Sequence, residues 1–205
     1  VAEAWPAPPA CQRLVLASRV LDDAETLSAL CTASDTELVL TMVVSLDAVQ
    51  RDLGSADPEK RVAGLWTLAE LAQRQDESLK ATIVGVASSC LEDESATVRG
   101  ATIQVLSKIV ARDDDRALAA VMDHCASANP VARASAVEAA GRLAGRGNER
   151  VAALLLARLD DASPDVRCAA LGGIAEAGDG DGRVVFAVSA RLHDPSPAVR
   201  RRAVE

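Results

Sequence analysis

Apolar residues recur at helical spacing along most of the chain, in stretches separated by polar or glycine-rich turns. From residue 55 onward, leucine, isoleucine, valine and alanine return every three or four positions, which is the pattern of one buried helix face. The stripes are Leu65/Leu68/Leu71/Ala72, Ile103/Leu106/Ile109/Val110, Val137/Ala140/Leu143/Ala144 and Leu171/Ile174/Ala175. Each stripe predicts one amphipathic helix, which we call a first helix.

A second apolar stripe follows each first helix after a break in the pattern. The breaks lie at residues 73–76, 112–115, 145–148 and 178–182. The second stripes are Ile83/Ala87/Leu91, Leu118/Val121/Cys125, Ala152/Leu155/Leu159 and Val185/Val188/Leu192. We therefore predict a second helix in each unit. A pair of helices with one apolar side each cannot bury that side alone and must stack on neighbouring pairs, so the pattern predicts an all-α solenoid.

A seven-residue segment opens each unit. It reads SADPEKR from Ser55, DESATVR from Asp93, SANPVAR from Ser127, DASPDVR from Asp161 and DPSPAVR from Asp194. The final arginines stand 38, 34, 34 and 33 residues apart. Asp, Asn and Ser cap the free amides of a helix start, and proline fits the first helical position. A helix is therefore expected to begin within each segment, and the unit near residue 194 is truncated.

The pattern Asp-x-x-Pro-x-Val-Arg-x-x-Ala, at residues 161–170 and 194–203, resembles the HEAT repeat family, in particular its short bilin-lyase-type form, over residues 55–205. The resemblance implies a right-handed, armadillo-like superhelix of antiparallel helix pairs. It also implies a ladder of hydrogen bonds between the loop acid and the helix arginine of successive repeats. The implied ladder residues are Asp93, Arg99, Arg133, Asp161, Arg167, Asp194 and Arg200. Because serine replaces the acid at Ser55 and Ser127, the ladder is expected to weaken at Ser55/Arg61 and Ser127/Arg133.

Residues 1–54 do not follow the repeat. Pro6, Pro8 and Pro9 open the chain, and no Val-Arg follows a loop acid. We predict an atypical helical cap, with helices at about 10–21, 24–33 and 36–53, because the outer face of a terminal repeat meets water. The first residue is not methionine and the last lies inside a predicted helix, so we expect the chain to be part of a longer protein or complex.

Composition and charge narrow the classes of function. Aromatic residues make up 1% of the chain, which disfavours a sheet protein. The net charge of −8 argues against a nucleic-acid partner, which needs a cationic surface. The five cysteines are irregularly spaced and include no CxxC, which favours a reducing, cytoplasmic location over disulfides or a thiolate metal site. No apolar run approaches the length that membrane insertion requires.

Few residues are candidates for catalysis. His124 and His193 lie in different repeats, and adjacent positions such as His124 and Cys125 do not face each other on a helix. Asp113-Asp114-Asp115 lacks the alternating ligands and glycine turn of a calcium loop. We therefore predict no catalytic residues, no metal and no cofactor. Since bilin lyases share this short repeat form, a role as an enzyme subunit of that type is the alternative.

One surface stands out as a candidate for partner binding. The resemblance implies that second helices line the concave face. Away from their core stripes, Arg116, Arg150 and Arg183 form a row spaced by one repeat, above a floor of small and apolar residues. That floor includes Ala120, Leu154 and Ala187.

The arginine row predicts the chemistry of the partner. Arginine pairs bidentately with carboxylate and phosphate, so the row favours an acidic or phosphorylated protein or peptide. The alternative is that each arginine pairs with a nearby acid, namely Asp113 or Asp114, Glu149, and Asp179 or Asp181. The sequence as a whole predicts a non-enzymatic scaffold that binds a partner protein along the concave face of the solenoid.

Overall fold

The computed structural model describes residues 11–16, 19–21, 40–74, 77–177 and 182–205, and helices form most of that part of the chain. The helices are α1 (Asp47–Leu53), α2 (Pro58–Arg74), α3 (Glu77–Ser89), α4 (Ala96–Ile109), α5 (Asp115–His124), α6 (Pro130–Leu143), α7 (Glu149–Arg158), α8 (Pro164–Ala177), α9 (Gly182–Ala190) and α10 (Pro197–Arg202). Short 3-10 turns at Cys90–Glu92 and Arg191–His193 follow α3 and α9. The first helices are α2, α4, α6, α8 and α10, the second helices are α3, α5, α7 and α9, and the predicted α-solenoid is confirmed.

Polar caps begin the helices where the repeated pattern predicts them. The side chains of Asp114 and Asn148 accept hydrogen bonds from backbone amides two or three residues into α5 and α7, at 2.9 and 3.0 Å. The Asn129 side chain does the same at α6, whose first residue is Pro130. Each cap satisfies an amide that has no partner inside the helix.

The predicted stripes form the core in the central repeats, but burial decreases toward α9. Leu91, Cys125 and Leu159 occupy equivalent positions and are 0–2% exposed, whereas Leu192 is 42% exposed. In α9 the buried residue is Val184, and the predicted Val185 is exposed. Within the described residues only the short α10 follows α9, so no further second helix covers this face.

A three-stranded antiparallel sheet precedes the solenoid, and it corrects the prediction for residues 1–54. The strands are β1 (Gln12–Leu16), β2 (Arg19–Val20) and β3 (Leu40–Val44), in the order β2-β1-β3. The helices predicted at about 10–21 and at the start of 36–53 are therefore wrong, because these short runs are rich in valine and pair as strands. The predicted helix at 24–33 lies outside the described residues. Val49 of α1 joins this segment to the solenoid core.

Neighbouring first helices approach one another more closely than neighbouring second helices do. At the crossing of α6 and α8, a Cβ atom added to Gly141 would overlap the backbone of Gly173, so two glycines permit this approach. The closest packing in the stack is therefore between first helices. That second helices line the concave face stays a prediction.

Candidate binding groove and arginine ladder

A groove of about 460 Å³ crosses the first-helix face. Residues of α4, α6, α8 and α10 line it, so it extends over four successive first helices. Its small side chains and glycines are Ala134, Cys168, Ala169, Gly172 and Gly173, and its charged residues are Arg99, Glu138, Arg142, Asp165, Glu176 and Arg202. The groove exists because these small residues leave room between the helices, and charged side chains of both signs surround it. We call it the first-helix groove.

Two of the groove arginines pair locally. Arg142 forms an ion pair with Glu138 at 3.1 Å along α6, and Arg202 pairs with Glu205 at 2.7 Å. Cys168 is half-buried, and burial, followed by the nearby charge of Asp165, raises the pKa of its thiol. Its side chain is therefore a neutral part of the groove rather than a reactive thiolate. In the described part of the chain, no cluster of His, Cys, Asp and Glu could hold a metal ion.

A ladder of arginines and aspartates connects successive repeats. The guanidinium of Arg61 donates two hydrogen bonds to the carboxylate of Asp93, at 2.8 and 2.9 Å. Arg133 binds Asp161 in the same way at 3.1 and 2.9 Å, and Arg167 binds Asp194 at 2.9 and 2.8 Å. The remaining nitrogen of each arginine donates to backbone carbonyls of its own loop. Each rung therefore joins the arginine of one repeat to the acid of the next repeat.

Because each rung runs from one repeat to the next, the ladder is interrupted at a different arginine from those expected. Arg61 and Arg133 follow loops that begin with serine, yet both reach an aspartate in the next repeat. The break lies at Arg99, because the next loop begins with Ser127. Arg99 instead donates through Nε to the Ser135 hydroxyl at 3.1 Å and through Nη1 to two carbonyls of its own loop. Arg200 donates to the carbonyls of Asp194 and Pro195.

The rungs alter the pKa values of their members. The hydrogen bonds from Arg133 and Arg167 lower the pKa of Asp161 and Asp194 respectively. In turn, the carboxylates raise the pKa of both arginines. Arg167 and Asp194 are buried, at 9% and 5% exposure. This rung is therefore a largely desolvated ion pair, whose partners depend on each other.

The predicted arginine row lies on the second-helix face, opposite the groove. Arg116, Arg150 and Arg183 are exposed at the starts of α5, α7 and α9. Among the described residues, Arg116 and Arg150 form no ion pair. Below them, the predicted floor is half-buried and packs against the core; it consists of Ala120, Leu154 and Ala187. The recess beside Arg116 has a volume of about 10 Å³, so this face offers charge but little depth.

Two of the acids that could pair with the row, Asp113 and Asp114, have other contacts. Asp114 caps α5. Asp113 accepts hydrogen bonds from the amide of Gly145 at 2.8 Å and the side chain of Asn148 at 2.6 Å, which connects two repeats. Asp179 and Asp181 lie outside the described residues. Ligand binding by the row therefore stays a prediction.

The two residues of the His124-Cys125 pair have different surroundings. His124 contacts Glu92 of the preceding repeat at 2.9 Å, and this hydrogen bond lowers the pKa of Glu92. Cys125 is fully buried, and burial raises the pKa of its thiol to about 12. Both side chains thus contribute to packing between repeats.

Sequence reasoning missed the first-helix groove, although a signal was present. Ala134, Ala169 and Gly172 are small residues at half-buried positions of α6 and α8. Small residues on an exposed helix face leave depth between neighbouring helices. In the sequence, this signal is less conspicuous than the row of arginines on the second helices.

The comparisons with known proteins agree on the type of repeat. A model described as HEAT repeats matches residues 46–141, and one described as a HEAT repeat associated with sister chromatid cohesion matches residues 145–171 and 184–205. Among curated proteins, no sequence matches the chain. No helix in the described residues is long and apolar enough to span a bilayer.

Solved repeat structures resemble the chain at low sequence identity. A designed armadillo repeat protein in complex with the peptide (KR)4 is 20% identical, with 78% of this chain and 79% of that chain covered and a TM-score of 0.45. An archaeal HEAT-like repeats protein from Thermococcus onnurineus NA1 is 14% identical, with 78% and 84% covered and a TM-score of 0.39. The two sequence-model matches together extend over most of the chain and agree with its repeated Asp–Arg rungs, and the chain is built of HEAT-type repeats.

Proposed function

We propose that the protein is a non-enzymatic scaffold that binds a segment of a partner protein in the first-helix groove. The observation that carries this proposal is a continuous groove across four successive first helices, with a floor of small residues and a charged rim. A groove of about 460 Å³ is within the usual range for ligand sites, roughly 300–1,000 Å³. Because its lining comes from four successive helices, it fits a chain that crosses them better than a compact metabolite.

The dimensions of the groove suit a short peptide. Packed helices lie about 8–10 Å apart, so four first helices span on the order of 25–30 Å. An extended chain covers about 3.3 Å per residue, which gives a bound segment of about eight residues. Small groove residues would admit its side chains, while rim arginines and carboxylates would bind its polar groups.

The arginine row is a second candidate site. The specific observation in its favour is that Arg116 and Arg150 are exposed and form no ion pair in the described part of the chain. An acidic or phosphorylated segment on the second-helix face would neutralise them. Because this face lacks a deep groove, such binding would depend mainly on charge and would weaken strongly with added salt.

The two faces can be distinguished with peptides selected from a random 12-residue display library on the wild-type protein. Gly172→Leu fills the first-helix groove, since a Cβ atom there meets only the flexible end of Arg202. Gly85→Leu is the matched control, because Gly85 lies on α3 with no atom within 4 Å of an added Cβ. The triple variant Arg116→Ser/Arg150→Ser/Arg183→Ser tests the row.

The affinities would be measured by fluorescence anisotropy, after circular dichroism has shown that each variant is folded. We expect Gly172→Leu to weaken binding at least about tenfold, and both Gly85→Leu and the triple variant to bind like the wild type. Loss of binding in the triple variant alone would show that the peptide binds on the second-helix face instead. Failure to select any peptide would refute the scaffold proposal.

A further inference from the structure

We propose that Arg99 anchors a carboxylate of the bound segment, because among Arg61, Arg99, Arg133 and Arg167 it alone faces a following loop without an aspartate. This inference rests on the proposed function, because it identifies the chemistry that the first-helix groove recognises. The occupant is an aspartate or glutamate side chain of the partner protein. It would take the place that Asp93, Asp161 and Asp194 occupy in the other rungs.

The hydrogen bonds of Arg99 differ from those of the other inter-repeat arginines at one nitrogen. In Arg61, Arg133 and Arg167, Nε and Nη2 together bind a single carboxylate, at distances of 2.8–3.1 Å. In Arg99, Nε binds the Ser135 hydroxyl and Nη1 binds backbone carbonyls. Its Nη2 has no acceptor among the described residues. One edge of the guanidinium therefore retains unused donor capacity.

Ser127 explains why this edge stays open. In the other loops the aspartate has two roles, since one carboxylate oxygen both binds the arginine and accepts the backbone amide two residues later. Ser127 keeps the second role, because its hydroxyl accepts the amide of Asn129 at 3.3 Å. Its side chain is shorter and carries no charge. The turn is preserved, whereas the positive charge of Arg99 is left without a carboxylate.

Arg99 is also accessible from the groove. It lines the first-helix groove and an adjoining groove of about 280 Å³, and Ser135 and Glu138 line both as well. Glu138 is the acidic residue that lines both grooves together with Arg99. Its carboxylate already forms an ion pair with Arg142 at 3.1 Å. A carboxylate that enters from a partner would therefore meet a cation that has no competing acid bound to it. A planar carboxylate matches the fork of a guanidinium, which favours it over a single-point acceptor.

The test uses the selected peptides and a variant that supplies the carboxylate from within. Ser127→Asp restores the acid found in the other three rungs, so its side chain would occupy Arg99 without removing the arginine. Ser127→Asn is the uncharged control of similar size. Ser127→Asp should complete a rung, which offsets repulsion from Glu92 beside it, so the variant is expected to stay folded. Arg99→Gln is less suitable, because it would also remove the bonds of Arg99 to its own loop.

We expect the selected peptides to share an acid at one fixed position. Replacing that Asp by Asn, or Glu by Gln, should weaken binding about tenfold or more, as expected for a charge-assisted pair. Ser127→Asp should weaken the acidic peptide to a similar extent, and Ser127→Asn should not. In Ser127→Asp, neutralising the peptide acid should then have no further effect, because both changes remove the same contact.

The outcomes separate this inference from the proposed function. If Ser127→Asp binds the acidic peptide as tightly as the wild type while Gly172→Leu does not, the groove is the site and the role of Arg99 is refuted. If the selected peptides instead share a cluster of several acids and bind Ser127→Asp as tightly as the wild type, the role of Arg99 is likewise refuted. If Gly172→Leu also binds normally, or no peptide is selected, both proposals fail.

Discussion

Two of the ladder arginines, Arg61 and Arg167, hold their charge in a buried position at the junction of two repeats. Arg167 illustrates this arrangement, since each of its terminal nitrogens and its Nε has a hydrogen-bond acceptor. A buried ion pair of this kind adds modest net stability over an apolar pair, but removal of one partner leaves the other charge buried and uncompensated. Individual rungs are therefore more sensitive to substitution than surface ion pairs.

Asp194→Asn should lower the free energy of unfolding by about 2–4 kcal/mol, because it leaves Arg167 buried beside a neutral amide. The matched control is Asp160→Asn. Asp160 also forms an ion pair, with Arg191 at 3.1 Å, but its side chain is 77% exposed, so a change within about 0.5 kcal/mol is expected. Urea denaturation of both variants provides the comparison. Equal effects of the two substitutions would show that burial of the rung does not matter.

The rungs also predict how stability depends on pH. The pKa values of Asp161 and Asp194 are lowered in the folded protein by their arginine partners, whereas an unfolded aspartate titrates near 3.9. These groups therefore stabilise the fold above about pH 4–5, and their contribution is lost as the pH falls through the unfolded value toward the lower folded value. Urea titrations at pH 7, 5, 4 and 3 should show a decline that is shallower in Asp194→Asn. Identical pH profiles would contradict this assignment.

Among the helix pairs, the crossing of α6 and α8 depends most clearly on a particular residue type. Gly141 and Gly173 face each other there, and a Cβ atom on Gly173 would also come within 2.8 Å of Leu155 in α7. The approach brings the first helices together, which in turn shapes the floor of the groove. Ordinary helix propensity would favour alanine at both positions, so packing between helices determines the residue.

Gly141→Ala should destabilise the protein by about 1–3 kcal/mol, because the added methyl group meets backbone that cannot rotate away. Gly85→Ala is the control for helix propensity. It lies inside α3 with open space around an added Cβ, so the same substitution should stabilise by about 0.5–1 kcal/mol. Midpoints of urea unfolding would give the sign of each effect. A stabilised Gly141→Ala would mean that α6 and α8 lie further apart in solution.

The helices were predictable because their signals are local. Asp114, Asn129 and Asn148 cap helices where the repeated pattern placed starts, since a cap needs only its own backbone neighbours. The strands Gln12–Leu16 and Leu40–Val44 were not predictable, because their stability depends on pairing between segments far apart in sequence. Short apolar runs do not by themselves distinguish a strand from a helix.

The first-helix groove was not predictable for a different reason. Both faces of the solenoid carry arginines at repeat spacing, so periodicity alone cannot show which face holds a groove. The depth of a groove follows from the distance between helices, and that distance depends on pairs such as Gly141 and Gly173 that meet only in the folded stack. The missing rung at Arg99 was likewise predicted at other arginines. The sequence of one repeat does not show that its arginine binds the acid of the next repeat.

At the scale of the whole molecule, each repeat is stabilised by its contacts with the neighbouring repeats. In a solenoid it approximates a sum of repeat and interface contributions, and the interfaces here are unequal. The first helices α6 and α8 pack closely and are joined by the rung from Arg133 to Asp161. In contrast, α4 and α6 pack less closely, and Arg99 finds only the hydroxyl of Ser135. The junction between α4 and α6 is therefore the weakest of the central interfaces.

Two cooperative units should consequently be visible on either side of this junction. Hydrogen exchange followed by mass spectrometry at increasing urea should show peptides from α2 and α4 losing protection at a different urea concentration from peptides of α6 and α8, because sub-global opening follows the weakest interface. Ser127→Asp should bring the two transitions together by completing the rung, whereas Ser127→Asn should leave them apart. Ser55→Asp is a further control, since no described residue before Ser55 is a ladder arginine that the new acid could bind. If all peptides of the wild type open together, the missing aspartate has no structural consequence, and Ser127→Asp should then leave the transition unchanged as well.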